Sequence, residues 1–293
     1  MRLATVIGRR PDEAAEFAAR FGIPRHGTDL GLVFDDPTID AVVICSPTEL
    51  HAGHVEAALR SGKHVLCEIP LATSLAEIDM LIEMADRTDR RLMVCHTQRY
   101  FPPLVEARRR IAVGELTPHA IVSRYLFDRR NTINWKGRHR SWADNLLWHH
   151  GGHAVDAALW LLGVGADEEV SVSAQIAEPD PALGTPMDLG MVVRTKRGQI
   201  VTVAMSYHAR LPAHDYLIIG EETTLRFGEN TLSGADGVIV PASGPDPLGV
   251  ALPAQDAEFI ASVREGREPA VSARSIRPAM AALQAARDSM SLT

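Results

Sequence analysis

Three cysteines in 293 residues, Cys45, Cys67 and Cys95, are too few and too widely spaced for a disulfide framework, and none belongs to a CxxC pair. Each closes an apolar run, so each is expected to be a buried thiol in a reducing, cytoplasmic setting. No apolar stretch reaches the roughly 18 residues that would span a bilayer, and Met1-Arg2-Leu3-Ala4-Thr5-Val6 lacks the long apolar core of a signal peptide. Positive charge is also scarce. Thirty Lys and Arg against 37 Asp and Glu leave a formal charge of −7, which provides no basic field for nucleic acid or an anionic membrane. Small molecules or other proteins remain as partners. Two motifs are absent as well: the HExxH of a zinc peptidase and the GxGxxG turn on which a dinucleotide's pyrophosphate usually rests.

What is present is an ordinary folded composition, 46% hydrophobic and 23% charged, in a chain long enough for two domains. Residues 2–7 form a β-branched run ending at Gly8, and residues 11–21 follow with helical spacing and close at Gly22 as a C-cap would. The alternation continues with a brief helix over 28–34, a continuous apolar strand over 41–45, and a helix over 50–61 stopped by Gly62-Lys63. A strand over 64–67, a helix over 75–88 and a strand over 92–95 complete it. Short connections between such units predict a doubly wound parallel sheet, with ligands beyond the carboxyl ends of the strands. Those ends are Gly8-Arg9-Arg10, Cys45-Ser46-Pro47-Thr48, Glu68-Ile69-Pro70 and His96-Thr97-Gln98-Arg99. The expected fold class is therefore α/β: a Rossmann-type domain over 1–98, then an α+β domain over 99–293.

If residues 2–7 are the second strand of that fold, a central first strand with its glycine-rich turn and helix, roughly 25–30 residues, is missing from it. Neighbouring strands sit about 4.8 Å apart, so the flanking strands cannot pair across the slot. The expectation is that a preceding segment supplies this unit. A different segment filling the gap, a relic with no tight cofactor site, and a protein with no dinucleotide at all stay open.

After Arg99 the alternation stops. A helix near 103–113 and a strand over 120–127 lead to a loop carrying Arg129, Arg130, Lys136, Arg138 and Arg140. Residues 170–240 carry short alternating strands, read as an antiparallel sheet; 241–253 reads as a Pro/Gly-rich loop, and 256–265 and 277–290 as terminal helices. Before the sheet stands Trp148-His149-His150-Gly151-Gly152-His153-Ala154-Val155-Asp156. On a helix, positions 149, 153 and 156 share one face, bringing two imidazoles and a carboxylate together for acid–base work. Packing in a core or at a subunit contact is the competing reading, since imidazole is often buried. The i, i+4 spacing also suits zinc, but without HExxH or a cysteine pair no metal is expected.

Several stretches together resemble the Gfo/Idh/MocA family of nicotinamide-dependent oxidoreductases. They are Cys45-Ser46-Pro47-Thr48-Glu49-Leu50-His51, the run from Gly62 through Glu68-Ile69-Pro70-Leu71-Ala72, Gln98-Arg99-Tyr100-Phe101-Pro102, His153-Ala154-Val155-Asp156, and Phe259 through Pro269. Most members have Glu-Lys-Pro where this chain has Glu68-Ile69-Pro70, and Asp where it has His149. These departures resemble a branch that oxidises the cyclic hemiacetal of a dicarboxylic semialdehyde to a lactone during aromatic breakdown. A sugar or inositol dehydrogenase and a non-catalytic relic are the alternatives.

The resemblance implies NADP or NAD as cofactor and a small dicarboxylic substrate. It implies His153 as base, with His149 as partner or alternative, because imidazole titrates near neutral pH. Guanidinium binds carboxylate bidentately, so Arg99, Arg129, Arg138 and Arg140 are the expected substrate ligands, with Trp142, His150 and Asp156 nearby. Gly8-Arg9-Arg10, where an acidic residue would select NAD, favours NADP. Ser46, Pro47, Thr48 and His51 are expected on the nicotinamide side, with Glu68 and Pro70 in the turn beneath it. The antiparallel sheet is the expected surface for a homodimer or larger assembly.

Overall fold

The computed structural model describes residues 2–129, 145–244, 246 and 248–290. β1 (Thr5–Ile7) leads into α1 (Pro11–Phe21), which opens on a proline, whose missing amide costs nothing at a helix start, and ends at Gly22 in the left-handed conformation. β2 (Arg25–Gly27) pairs in parallel with β1, and α2 (Gly31–Phe34) is a single turn. β3 (Ala41–Ile44), α3 (His51–Arg60), β4 (His64–Cys67), α4 (Leu75–Thr88) and β5 (Leu92–Val94) follow. β3, β4 and β5 form a parallel sheet in that order, and its apolar residues Val65, Leu66, Met93 and Val94 are fully enclosed by helices.

The parallel strands fall into two separate sheets, β1-β2 and β3-β4-β5. β3 is an edge strand of its sheet, and Val43 on it is 55% exposed. Cys45, at the same edge, is exposed, unlike the buried Cys67 and Cys95. The expectation of three buried thiols is corrected there, because burial of a strand end depends on a neighbouring strand.

α5 (Pro102–Ala112) crosses to a second sheet of eight strands among the described residues. These are β6 (Pro118–Asp128), β7 (Ser171–Ile176), β8 (Asp188–Arg194), β9 (Ile200–Ser206), β10 (His208–Gly220), β11 (Thr224–Gly228), β12 (Thr231–Gly234) and β13 (Gly237–Val240). The spatial order is β13-β12-β11-β10-β6-β9-β8-β7. The sheet is mixed rather than wholly antiparallel, because β6 and β9 pair in parallel. Alternation along β8 buries Leu189, Met191 and Val193 and leaves Val192 facing out. One face is therefore covered and the other open.

α6 (Gly151–Leu162) lies on the covered face, between β6, β9, α5 and α8. It is apolar nearly all round, as a helix enclosed on every side must be. Gly151 lets its first turn come close. A Cβ there would lie 3.2 Å from the Met205 side chain and 3.3 Å from that of Leu283.

The terminal helices are longer than the sequence suggested. α7 (Leu248–Glu265) includes Pro253 and α8 (Ala273–Met290) includes Pro278. Each proline removes one helix hydrogen bond. Burial of Ala251, Gln255 and Phe259 along one stripe of α7, and of Ile276, Ala279, Met280 and Leu283 on α8, offsets that loss. α8 packs on α4, β5 and α6, tying the parallel sheet to the mixed one.

Candidate active site

The carboxyl ends of β3 and β4 converge on one imidazole. His51, 2% exposed at the start of α3, has Nδ1 2.7 Å from the Pro70 carbonyl oxygen and Nε2 2.7 Å from that of Ser46. Carbonyl oxygens only accept, so the ring bridges the loop after β3 and the turn after β4 by two hydrogen bonds only with a proton on each nitrogen. Ser46 also meets His54 through its hydroxyl, at 3.0 Å. Glu68 sits half-buried in that turn with no ion-pair partner among the described residues, and burial raises its carboxyl above the ordinary range. Thus Ser46, His51, Glu68 and Pro70 are brought together, with Pro47 and Thr48 beside them. Arg9 and Arg10 lie elsewhere, at the end of β1. Both are exposed, and Arg10 is engaged by Glu13.

A second cluster forms where β5 ends and α6 begins. The segment Leu146–His150 is a wide turn in which the Gly151 amide reaches back to the Leu146 carbonyl, and it is capped by Asn145, whose Oδ1 accepts the Trp148 amide at 3.1 Å. Despite this departure from α-helical spacing, the rings of His149 and His153 stay 5.9 Å apart, and His150 lies 4.7 Å from His149. His96, just past β5, stands edge-on to His153 at 5.7 Å. From the sheet come His214, Tyr216, Tyr125 and Tyr207. His150 Nδ1 is 2.6 Å from the Tyr207 hydroxyl, Gln98 donates to the Tyr125 hydroxyl, and Tyr216 donates to Gln98 Oε1 at 2.7 Å.

Burial controls the charge of this cluster. Removal from water disfavours imidazolium, and it lowers His96 to about 4, His214 to about 4 and His150 to about 2; for His150 the neighbours His149 and Arg129 act in the same direction. His153 is pushed well below its ordinary value for the same reason, with His96 and His149 adding to the effect. At neutral pH these rings are uncharged. Both nitrogens of His96, Nδ1 of His153 and Nε2 of His214 are buried without a hydrogen-bond partner among the described residues. Unmet polar atoms typically cost about 1–3 kcal/mol each, and a group of them in one place is characteristic of a site built for function rather than for stability alone.

The other expected ligands divide. Asp156, 2% exposed, is held by Arg99 through Nε–Oδ2 at 2.9 Å and Nη2–Oδ1 at 2.5 Å, and Arg99 also donates to Ser275. This pair is committed to itself, so neither side chain presents a free fork or carboxylate to substrate. Asp156 instead faces His96, with Oδ2 3.4 Å from Nδ1. Arg129 follows β6 and its charge is felt by His150, which places it at the cluster. Arg138, Arg140 and Trp142 lie outside the described residues.

Sequence reasoning placed His96 at a ligand-facing strand end without giving it a role, and missed His214 and the three tyrosines. Two signals were available: His96 stands at a strand's carboxyl end, and Ser123, Tyr125 and Phe127, like His214 and Tyr216, recur at the two-residue period that puts side chains on one face.

Residues 1–96 match the oxidoreductase family with an NAD-binding Rossmann fold, and residues 104–239 match a model of bacterial oxidoreductase C-terminal regions. The chain is 34% identical to 4-carboxy-2-hydroxymuconate-6-semialdehyde dehydrogenase of Sphingobium sp. over 92% of its own length and 84% of that protein's. It is 26% identical to scyllo-inositol 2-dehydrogenase (NADP(+)) IolW of Bacillus subtilis over 84% and 75%. An Agrobacterium radiobacter oxidoreductase solved with NAD+, L-tartaric acid and magnesium superposes with a TM-score of 0.84 over 98% of this chain and 88% of that one at 20% identity, a likeness of fold. Among the described residues no helix is long and apolar enough to cross a membrane. Given two relatives that span most of its length and a Rossmann match over the strands that carry the site, the chain belongs to the Gfo/Idh/MocA family of NAD(P)-dependent oxidoreductases.

Proposed function

We propose that this protein is an NADP-dependent dehydrogenase that oxidises the cyclic hemiacetal of 4-carboxy-2-hydroxymuconate-6-semialdehyde to 2-pyrone-4,6-dicarboxylate. The observation that carries the reading is the group of neutral imidazoles around His153, together with Ile69, an apolar core residue 5% exposed where the family's sugar enzymes carry a proton-handling lysine. The 34% identical relative named for this semialdehyde supports the substrate.

The residues at the carboxyl ends of β3 and β4 fit a nicotinamide: the ring of His51 lies between both flanking loops, and Glu68 is half-buried with no ion-pair partner among the described residues, His51 being the positive charge that acts on it. Ser46, Pro47, Thr48, His51, Glu68 and Pro70 would hold it, and Arg9, exposed after β1, would meet an adenosine 2′-phosphate. When bound, the cofactor supplies the hydride acceptor. The chain's own share is the proton. Nε2 of His153 takes it from the hemiacetal hydroxyl, while His96 and His149 pack against that ring and limit its orientation. Burial depresses the basicity of His153, and the negative charge of a dicarboxylate beside it restores basicity at the moment it is needed. Arg129, with Arg138 and Arg140, would hold the carboxylates.

We place the dinucleotide-binding part at residues 1–98, the substrate part at 99–293, and self-association on the open face of the mixed sheet, where Val192 and Leu217 are exposed. The protein would then be a cytoplasmic homo-oligomer. The inositol and levoglucosan dehydrogenases among the relatives favour a polyol or sugar as the second reading. One assay separates the two: reduction of NADP and NAD with the semialdehyde, myo-inositol and levoglucosan as substrates. Turnover of a polyol with none of the diacid refutes the proposed substrate.

A further inference from the structure

A cleft of about 220 Å³ opens between α5, α6 and α8, and among the described residues no imidazole lines it. Arg99, Arg108, Asp156, Trp160 and Ser275 are among its walls. Its charges do not balance. Asp156 is the carboxylate of the lining, and both its oxygens are taken by Arg99. Arg108, half-buried on α5, has neither an ion-pair nor a hydrogen-bond partner among the described residues. The charges that act on it are also positive. Burial first, then Arg197 and Arg99, hold its guanidinium below the ordinary value. Arg197 is itself committed to the Leu162 carbonyl oxygen at 2.6 Å.

Arg108 lies at the carboxyl end of α6, where a Cβ on Gly163 would come within 3.2 Å of its Nη2. The helix dipole there favours a cation. A dipole nevertheless satisfies none of the guanidinium's five N–H donors, which ask for acceptor oxygens in a plane.

We propose that the cleft is a binding site for a small oxyanion, a carboxylate or phosphate, which takes the donor fork of Arg108 with Arg99 and Arg197 supplying further positive field. Trp160 and Leu159 cover the ligand's apolar part. The volume is below that of an ordinary cofactor pocket, so a nucleotide is excluded and an ion of a few heavy atoms is admitted. The cleft shares Asp156 with the surroundings of His96, and the proposed binding does not depend on the proposed reaction.

The test is calorimetric titration of the intact protein with sodium phosphate and, separately, sodium malonate, at ionic strength held constant with sodium chloride. The expected result is saturable one-site binding of at least one of the two. Arg108→Gln should weaken it roughly tenfold or more, and Arg108→Lys, which keeps charge but loses the fork, should fall between. Whichever ion binds identifies the source of the oxyanion. Binding unchanged by Arg108→Gln overturns the proposal, including binding lost instead with Arg129→Gln. So does an effect that chloride reproduces.

Discussion

Asp156→Asn removes one charge from a buried pair and leaves Arg99, 8% exposed, without its carboxylate. In the native protein Arg99 makes two charge-assisted bonds to Asp156 and two weaker ones to Ser275, at 3.2 and 3.1 Å. Breaking one side of such a pair typically costs about 3–5 kcal/mol, most of it the penalty of the stranded charge. At roughly 2–4 °C per kcal/mol for a chain of this order of size, the melting midpoint should fall by about 6–20 °C. Thermal unfolding followed by circular dichroism, with Arg99→Met and the double variant Arg99→Met/Asp156→Leu alongside, measures this. The double variant should recover most of the loss, because two apolar side chains strand no charge. If Asp156→Asn melts within a degree or two of wild type, or if the double variant is as unstable as the sum of the singles, the pair is not the buried contact described here.

Three further outcomes follow from the same structure. His96 and His214 are held at about 4 when folded and return to about 6.5 when unfolded, so the unfolded chain takes up their protons first. Stability is therefore intact above pH 6.5 and declines as pH falls toward 4, by up to roughly 3 kcal/mol for each ring; His214→Gln should flatten that limb in urea unfolding measured from pH 7 to pH 4, and an unchanged slope contradicts the assignment. Arg129→Gln should raise KM for a dicarboxylic substrate by about 10–100-fold, the worth of a charged hydrogen bond; an unchanged KM removes Arg129 from the carboxylate site. Arg9→Glu should weaken NADP far more than NAD in fluorescence titration, and equal loss of both argues against a phosphate contact.

Much of this layout could be read from the chain, and the failures have physical causes. The end of α1 at Gly22 and the bounds of β4 and α4 follow from local signals: a left-handed glycine, a continuous apolar run and a capping serine. β2, with Arg25 and His26 exposed, has no hydrophobic pattern; it is a strand because β1 lies beside it. Pro253 and Pro278 read as helix boundaries because local propensity says so, while burial against the rest of the fold decides otherwise. Alternation identified the strands of the second sheet but not their neighbours, so the parallel β6–β9 pair, separated in sequence by α6 and two strands, was not visible. At the site, the helical spacing found His149 and His153, because those contacts are local. His96 and His214 arrive from distant elements, and Arg99 and Asp156, read as separate substrate ligands, find each other across 57 residues.

The central claim is that an imidazole, His153, receives the hydroxyl proton as the substrate is oxidised. Its most direct test is the steady-state rate of NADP reduction with the dicarboxylic semialdehyde for wild type, His153→Asn and His149→Asn. The account predicts a loss in kcat of about 10²–10⁴ for His153→Asn, with KM little changed and a smaller loss for His149→Asn. A His153→Asn enzyme that turns over at the wild-type rate would contradict it.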